Sequence, residues 1–163
     1  MGWLAKMGRR RRGECLECGS PLMPYAWPEV RGRSGEFEMV LRNTPLLRCS
    51  ADSTHTMRLV DGELDVYLAE GIQSSDLDIG RAGMAVKCCE CGVALDGRSD
   101  GSLFTTCGTV ELEDFGTVDV TLTGPAATCE ACGRIQVYPT YDPDDDYNTA
   151  LCACFEAMPV ELP

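Results

Sequence analysis

The chain has 163 residues, eleven cysteines, a single histidine and a formal net charge of −12, enough length for one ordinary domain or two small ones. No apolar run approaches the roughly 20 residues that span a bilayer, which excludes a membrane-spanning role, and Gly2 has Lys6 where a myristoylation signal places Ser or Thr, so a lipid anchor is not expected. An odd cysteine total, six of them in Cys-x2-Cys pairs too tight for routine disulfides, argues for metal over a disulfide framework.

Residues 1–13 form a flexible basic tail carrying Lys6 and Arg9 to Arg12. Trp3, Leu4 and Ala5 are too few for a secretory h-region, so a reducing, cytoplasmic location is expected, and Met7 is an alternative start. Residues 14–72 are read as a first zinc-ribbon module plus helix. Cys15-Leu16-Glu17-Cys18-Gly19 is a metal knuckle: two thiolates arrive on one ion, and the glycine turns the chain where a side chain would hinder. Phe37, Met39 and Leu41 alternate with Glu36, Glu38 and Val40 as a half-buried strand does. Cys49 follows where a second knuckle should begin, but Asp52 stands at the partner position. His55, six residues after Cys49, is the expected fourth ligand and Asp52 the substitute; a site holding no metal is the remaining alternative. A short strand over Met57 to Val60 leads to a helix capped by Asp61, with Leu64, Tyr67, Leu68 and Ile72 on one face.

Residues 73–85, rich in Ser, Gly and Asp, read as a linker. Residues 86–163 repeat the first arrangement as a second ribbon plus C-terminal helix, so an internal duplication is inferred. Cys88-Cys89-Glu90-Cys91-Gly92 and Cys129-Glu130-Ala131-Cys132-Gly133 are two full knuckles separated by 37 residues, which predicts a four-cysteine site of Cys88, Cys91, Cys129 and Cys132. Thr44-Pro45 before Cys49 parallels Gly124-Pro125 before Cys129. Between the knuckles, Val110 and Leu112, then Val118, Val120 and Leu122, alternate with polar residues around Glu113 to Gly116, predicting a hairpin over 109–122. A short strand from Ile135 to Tyr138 precedes a helix with Tyr147, Leu151, Cys154, Phe155 and Met158 on one face; Asp144 to Asp146 favour its N-terminus and Pro159 stops it. The fold class expected is small metal-stabilised α+β, two tandem β-rich zinc ribbons each followed by a short helix, with two zinc ions and iron as the alternative metal.

Of the remaining cysteines, Cys154 is assigned to the core, Cys152 to its edge, Cys89 to the outside of a knuckle and Cys107 to packing. Two closed four-ligand sites leave no open position for a catalytic water. There is no phosphate-binding glycine loop, no Gly-x-Ser-x-Gly elbow and no second histidine, so an enzyme is not expected. Asp142 to Asp146 lack the spacing of a calcium loop and read as a solvated turn.

The succession of Cys-x2-Cys-Gly, charged alternating strands, Pro and a second Cys-x2-Cys-Gly resembles the zinc ribbon of the MqsA/YgiT-type antitoxins, closest over Val118 to Cys132. It is also similar to the double-CxxCG immunity proteins of bacterial contact-dependent toxin systems. The resemblance covers the ribbons and implies a small cytoplasmic protein that holds a toxin through its zinc-ordered surface. Two departures are visible: no helix-turn-helix follows the ribbon, and Cys49 lacks its knuckle partner.

Charge narrows the partner. Residues 1–60 carry ten Lys/Arg and six Asp/Glu, whereas residues 61–163 carry four and twenty, a balance of −16. Such a body repels phosphate backbones and favours a basic protein, with Glu111, Glu113, Asp114 and Asp119 steering the encounter. The expected function is therefore a non-enzymatic protein-interaction module, an immunity- or antitoxin-like inhibitor of a basic partner. Nucleic-acid binding through the Arg-rich arm, or a place as accessory subunit in a larger complex, is the alternative.

Overall fold

The computed structural model describes residues 13–55, 57–59, 64–99, 101–113, 115–140 and 146–158. The basic arm with Lys6 and Arg9 to Arg12, the cap Asp61, the turn residue Asp114, Asp142 to Asp145 and the stop Pro159 lie outside the described residues.

The chain runs twice through three strands and a helix: β1 (Leu22–Ser34), β2 (Phe37–Cys49), β3 (Met57–Leu59) and α1 (Leu64–Ser74), then β4 (Leu103–Leu112), β5 (Gly116–Thr128), β6 (Ile135–Val137) and α2 (Tyr147–Ala157). All named strand pairs are antiparallel. The sheet order is β1-β2-β5-β4, with β3 added to β2 and β6 to β5. β2 and β5 meet through Glu38 to Arg42 opposite Asp119 to Thr123, so the two halves share one sheet.

The helices also cross between halves: α2 packs on β1 and β2, and α1 on β4. Both are amphipathic in the expected way, burying Leu64, Leu68 and Ile72 from α1 and Tyr147, Ala150, Leu151 and Cys154 from α2. Tyr67, expected on the buried face, is 40% exposed. Asp146 caps α2 by accepting from the Thr149 N–H. Replacing it with alanine is expected to cost about 1 kcal/mol, read as a shift in the denaturant midpoint.

The main core lies between sheet and helices, where Phe37, Met39 and Leu41 from β2 meet Val118, Val120 and Leu122 from β5. Two small satellite clusters sit apart from it, one around Cys15, Leu22, Leu47 and Cys49, the other around Val86, Cys88, Leu95, Ala127 and Cys129.

Asn43, at φ 62, shifts the alternation of β2. Before it Met39 and Leu41 face the main core; after it Leu46 does, while Leu47 and Cys49 enter the satellite cluster. The pairing with β1 keeps one register past Asn43, from Trp27 opposite Thr44 to Glu29 opposite Arg42, so the change of face comes from the left-handed backbone at Asn43 and not from an inserted residue. Cys49 is thereby aimed away from the main core and towards the first knuckle.

Two expectations are corrected here. The segment read as a linker is structural: Leu77 and Ile79 are buried in the main core, and the segment exchanges backbone hydrogen bonds with Val137 of β6, Gly80 N–H to Val137 C=O (2.9 Å) and Val137 N–H to Asp78 C=O (2.8 Å). Its alternation of Asp76, Leu77, Asp78 and Ile79 is a strand-like pattern masked by the Ser and Gly around it. Cys107 is exposed on β4, so it contributes to neither a core nor a cluster.

Candidate metal centres

Three of the knuckles are built alike. In each, the glycine N–H donates to the first cysteine's C=O, from Gly19 to Cys15 (2.9 Å), Gly92 to Cys88 (3.0 Å) and Gly133 to Cys129 (2.7 Å). The first cysteine's N–H in turn donates to the carbonyl five residues on, at Ser20, Val93 and Arg134. The glycines sit at φ +73, +72 and +76, a region closed to most side chains, which is why the sequence needs glycine there. The fourth turn, after Cys49, has Ser53 at the matching position and closes instead with the His55 N–H on the Asp52 C=O (3.2 Å).

These turns bring the cysteines together in two groups. The ligand atoms of Cys15, Cys18, Cys49 and His55 all lie within 4.8 Å of one another, as do those of Cys88, Cys91, Cys129 and Cys132. Sulfur separations are 3.6 Å for Cys18 and Cys49, 3.7 Å for Cys88 and Cys132, and 3.6 Å for Cys91 and Cys129. A tetrahedral ion with metal–sulfur bonds of about 2.3 Å sets its sulfurs about 3.8 Å apart, so both groups could hold a metal ion, and no cysteine is in a disulfide. The strongly buried members, Cys15, Cys49, Cys88 and Cys129, are rooted in the satellite clusters, while Cys18, Cys91 and Cys132 face solvent.

His55 turns Nδ1 towards Cys49 Sγ (4.0 Å) and Nε2 towards the Asp52 carboxylate (3.4 Å) and Glu17 (3.8 Å). Asp52 therefore stands behind the imidazole and not among the sulfurs, and its other oxygen accepts from the N–H and hydroxyl of Thr54. A carboxylate on the outer ring nitrogen fixes the tautomer that leaves Nδ1 free to ligate. Contact with Cys18, and the charges of Asp52 and Glu17, raise the His55 pKa.

Local donors prepare the thiols unequally. The Ser20 hydroxyl and N–H bring Cys18 down to about 6. Burial opposes ionisation of Cys88, but the N–H groups of Cys91 and Glu90 and the Gln136 amide outweigh it and bring the thiol down to about 6. The Arg134 N–H favours the Cys132 thiolate, yet burial and the sulfurs of Cys91, Cys129 and Cys88 push it up to about 12. Four sulfurs this close cannot all ionise without a cation between them. The chemistry of the donor set fits a soft or borderline divalent ion that takes thiolates and releases protons as it binds.

Gln136 is the residue that sequence reasoning missed. It is fully buried at the centre of β6, its Oε1 accepts from the Cys89 N–H (2.8 Å) and its Nε2 donates to Cys88 Sγ (3.3 Å). The signal was a polar residue between Ile135 and Val137 immediately after a knuckle. Gln136→Ala is expected to weaken metal retention by the second cluster about 10- to 100-fold. Competition with a chromogenic chelator measures it.

The other cysteines take no part in either group. Cys154 is fully buried and its thiol donates to the Met39 C=O (3.5 Å), with burial pushing its pKa up to about 12. Cys152 is exposed, and Cys89 is half-buried, its thiol raised by burial and by Asp78. A cleft of about 730 Å³ opens beside the second cluster between the end of α1, the 75–82 segment and Glu90, with Asp78 and Arg134 paired in its wall. Among the described residues no helix is long and apolar enough to cross a membrane.

No protein-family model, curated protein or solved structure matches this chain.

Proposed function

We propose that the chain is a non-enzymatic protein-binding module: two fused zinc ribbons, each holding one structural zinc ion, present an acidic surface to a basic protein partner. The observation that carries this reading is the pairing of two complete four-ligand groups with a one-sided charge. Four protein ligands leave no position for substrate or water, which supports a structural and not a catalytic use.

The charge is also spatially sorted. Arg31, Arg33 and Arg42 of the first half pair across strands with Glu29 and Glu38, and Arg98 and Arg134 pair with Glu36 and Asp78. Five of the nine basic residues among the described ones are thus paired locally, and the acidic excess after residue 60 is left to meet a partner. Metal-ordered turns keep that surface rigid, so less entropy is lost on association. An immunity- or antitoxin-like inhibitor of a basic toxin is the most specific form of this proposal.

Affinity capture with the tagged chain, repeated from low to high salt, tests it. A defined basic protein retained at low salt and released as salt rises is the expected result, and a chain recovered alone at every salt concentration counts against it.

One cluster supports a second reading, in nucleic-acid binding. Arg48 lies 4.3 Å over the ring of Tyr25, and Trp27 meets Tyr25 edge-on, the combination that stacks on unpaired bases. Low-salt filter binding that is lost in Arg48→Ala would favour it over the protein-binding reading.

A further inference from the structure

The two edges of the sheet are finished differently. On β1, the Ser50 N–H donates to the Pro21 C=O, which puts the odd-numbered residues in hydrogen-bonded pairs with β2 and turns the even-numbered ones outward. Pro24 and Pro28 stand at outward positions and have no N–H to offer, and the Leu22 N–H is taken by Gly13 (2.6 Å). That edge is closed to further pairing.

β4 has none of these devices. The Ala126 N–H donates to the Ser102 C=O (2.9 Å), so the even-numbered residues pair with β5 and the backbone groups of Leu103, Thr105, Cys107, Thr109 and Glu111 point away from the sheet. All five are exposed, and among the described residues nothing hydrogen-bonds to their backbones. The strand is ten residues long, has no proline, and carries no charge until Glu111. A strand of this length with five free donor and acceptor positions is a template for one more strand.

We propose that the outer edge of β4 is the docking strand for an extended, lysine- or arginine-bearing segment of a partner protein, which adds to the sheet beside it. This rests on the protein-binding reading above and assigns that reading a surface. The occupant follows from charge: between Arg98 and Arg134 the chain has no basic residue, while Glu111, Glu113, Asp114, Asp119 and Glu130 are all acidic. A second copy would bring its own net charge of −12 to the same edge. A basic segment gains the backbone ladder and the charge attraction together.

The test uses the full metal-loaded chain and a ten-residue peptide in which lysine alternates with valine and threonine, with a glutamate-for-lysine peptide as control. The lysine peptide is expected to bind and to slow amide exchange at Thr105, Cys107 and Thr109 by at least about ten-fold. Thr109→Pro removes one outward N–H and leaves the β4–β5 ladder untouched, so it should weaken binding about ten-fold with metal content unchanged. Cys107→Lys, which alters no backbone group, should weaken it too. Lysine-peptide binding that both variants leave intact, with no protection on β4, overturns the edge assignment while the protein-binding reading stands. No salt-dependent binding of the lysine peptide anywhere on the chain overturns both. A dimer that Thr109→Pro dissolves places a second copy on the edge and overturns the choice of occupant.

Discussion

Cys129→Ser is expected to remove the metal from the second cluster and to lower the melting temperature by about 10 °C or more. Cys129 is 1% exposed, and its satellite cluster adds only Val86, Leu95 and Ala127 to Cys88 as buried members, with the half-buried Tyr138 packed against them. Burying a side chain as large as valine or leucine contributes about 1.5 to 3 kcal/mol, against about 1 to 2 kcal/mol lost for each residue fixed in a turn. These few side chains are too little to hold two knuckles, so coordination is expected to hold them. The loss then spreads, because β6 follows the knuckle directly and Val137 is part of the main core that anchors the 75–80 segment. For a chain this size each kcal/mol corresponds to roughly 2 to 4 °C. Cys107→Ser, at an exposed thiol outside both groups, should change neither metal content nor melting temperature. Calorimetry with metal analysis on both variants separates a ligand from a bystander.

A second large effect is expected at a residue with no side chain. A Cβ at Gly32 would stand 2.1 Å from the Ala150 carbonyl oxygen and 2.5 Å from the Cys154 nitrogen, both backbone atoms of α2. Neither can swing aside as a side-chain end could. Gly32→Ala should therefore lift α2 from β1 and cost about 2 to 4 kcal/mol, seen as a lower denaturant midpoint with both metals retained. Retained metals with lost helix docking would show that the main core and the metal groups contribute independently. Gly71→Ala, which meets only the Val110 side chain at its closest, should cost less.

The cysteine spacing made the candidate ligands legible, because a knuckle is a local object written in five consecutive residues. The hairpin was legible for the same reason, though β4 and β5 run well beyond the 109–122 alternation that announces them. β1 was not: it carries Pro24 and Pro28, which a strand admits only at an edge, and edge position is a long-range property. The joining of β2 to β5 and the crossing of each helix to the other half are long-range, and no local pattern encodes them. They also revise the energetics: the two halves do not stand as small modules each lacking an interior, because their strands and helices combine into one shared core. The fourth candidate ligand was visible in the sequence only as a choice among His55, Asp52 and a site holding no metal; the turn that puts the imidazole towards Cys49 and the carboxylate behind it favours His55 as the candidate.

Elemental analysis of the chain purified without added metal bears most directly on the whole account. Two zinc ions per chain, lost together with near-native stability in excess chelator, are predicted from the two four-ligand groups. A chain that contains no transition metal and keeps its melting temperature in excess chelator would contradict it.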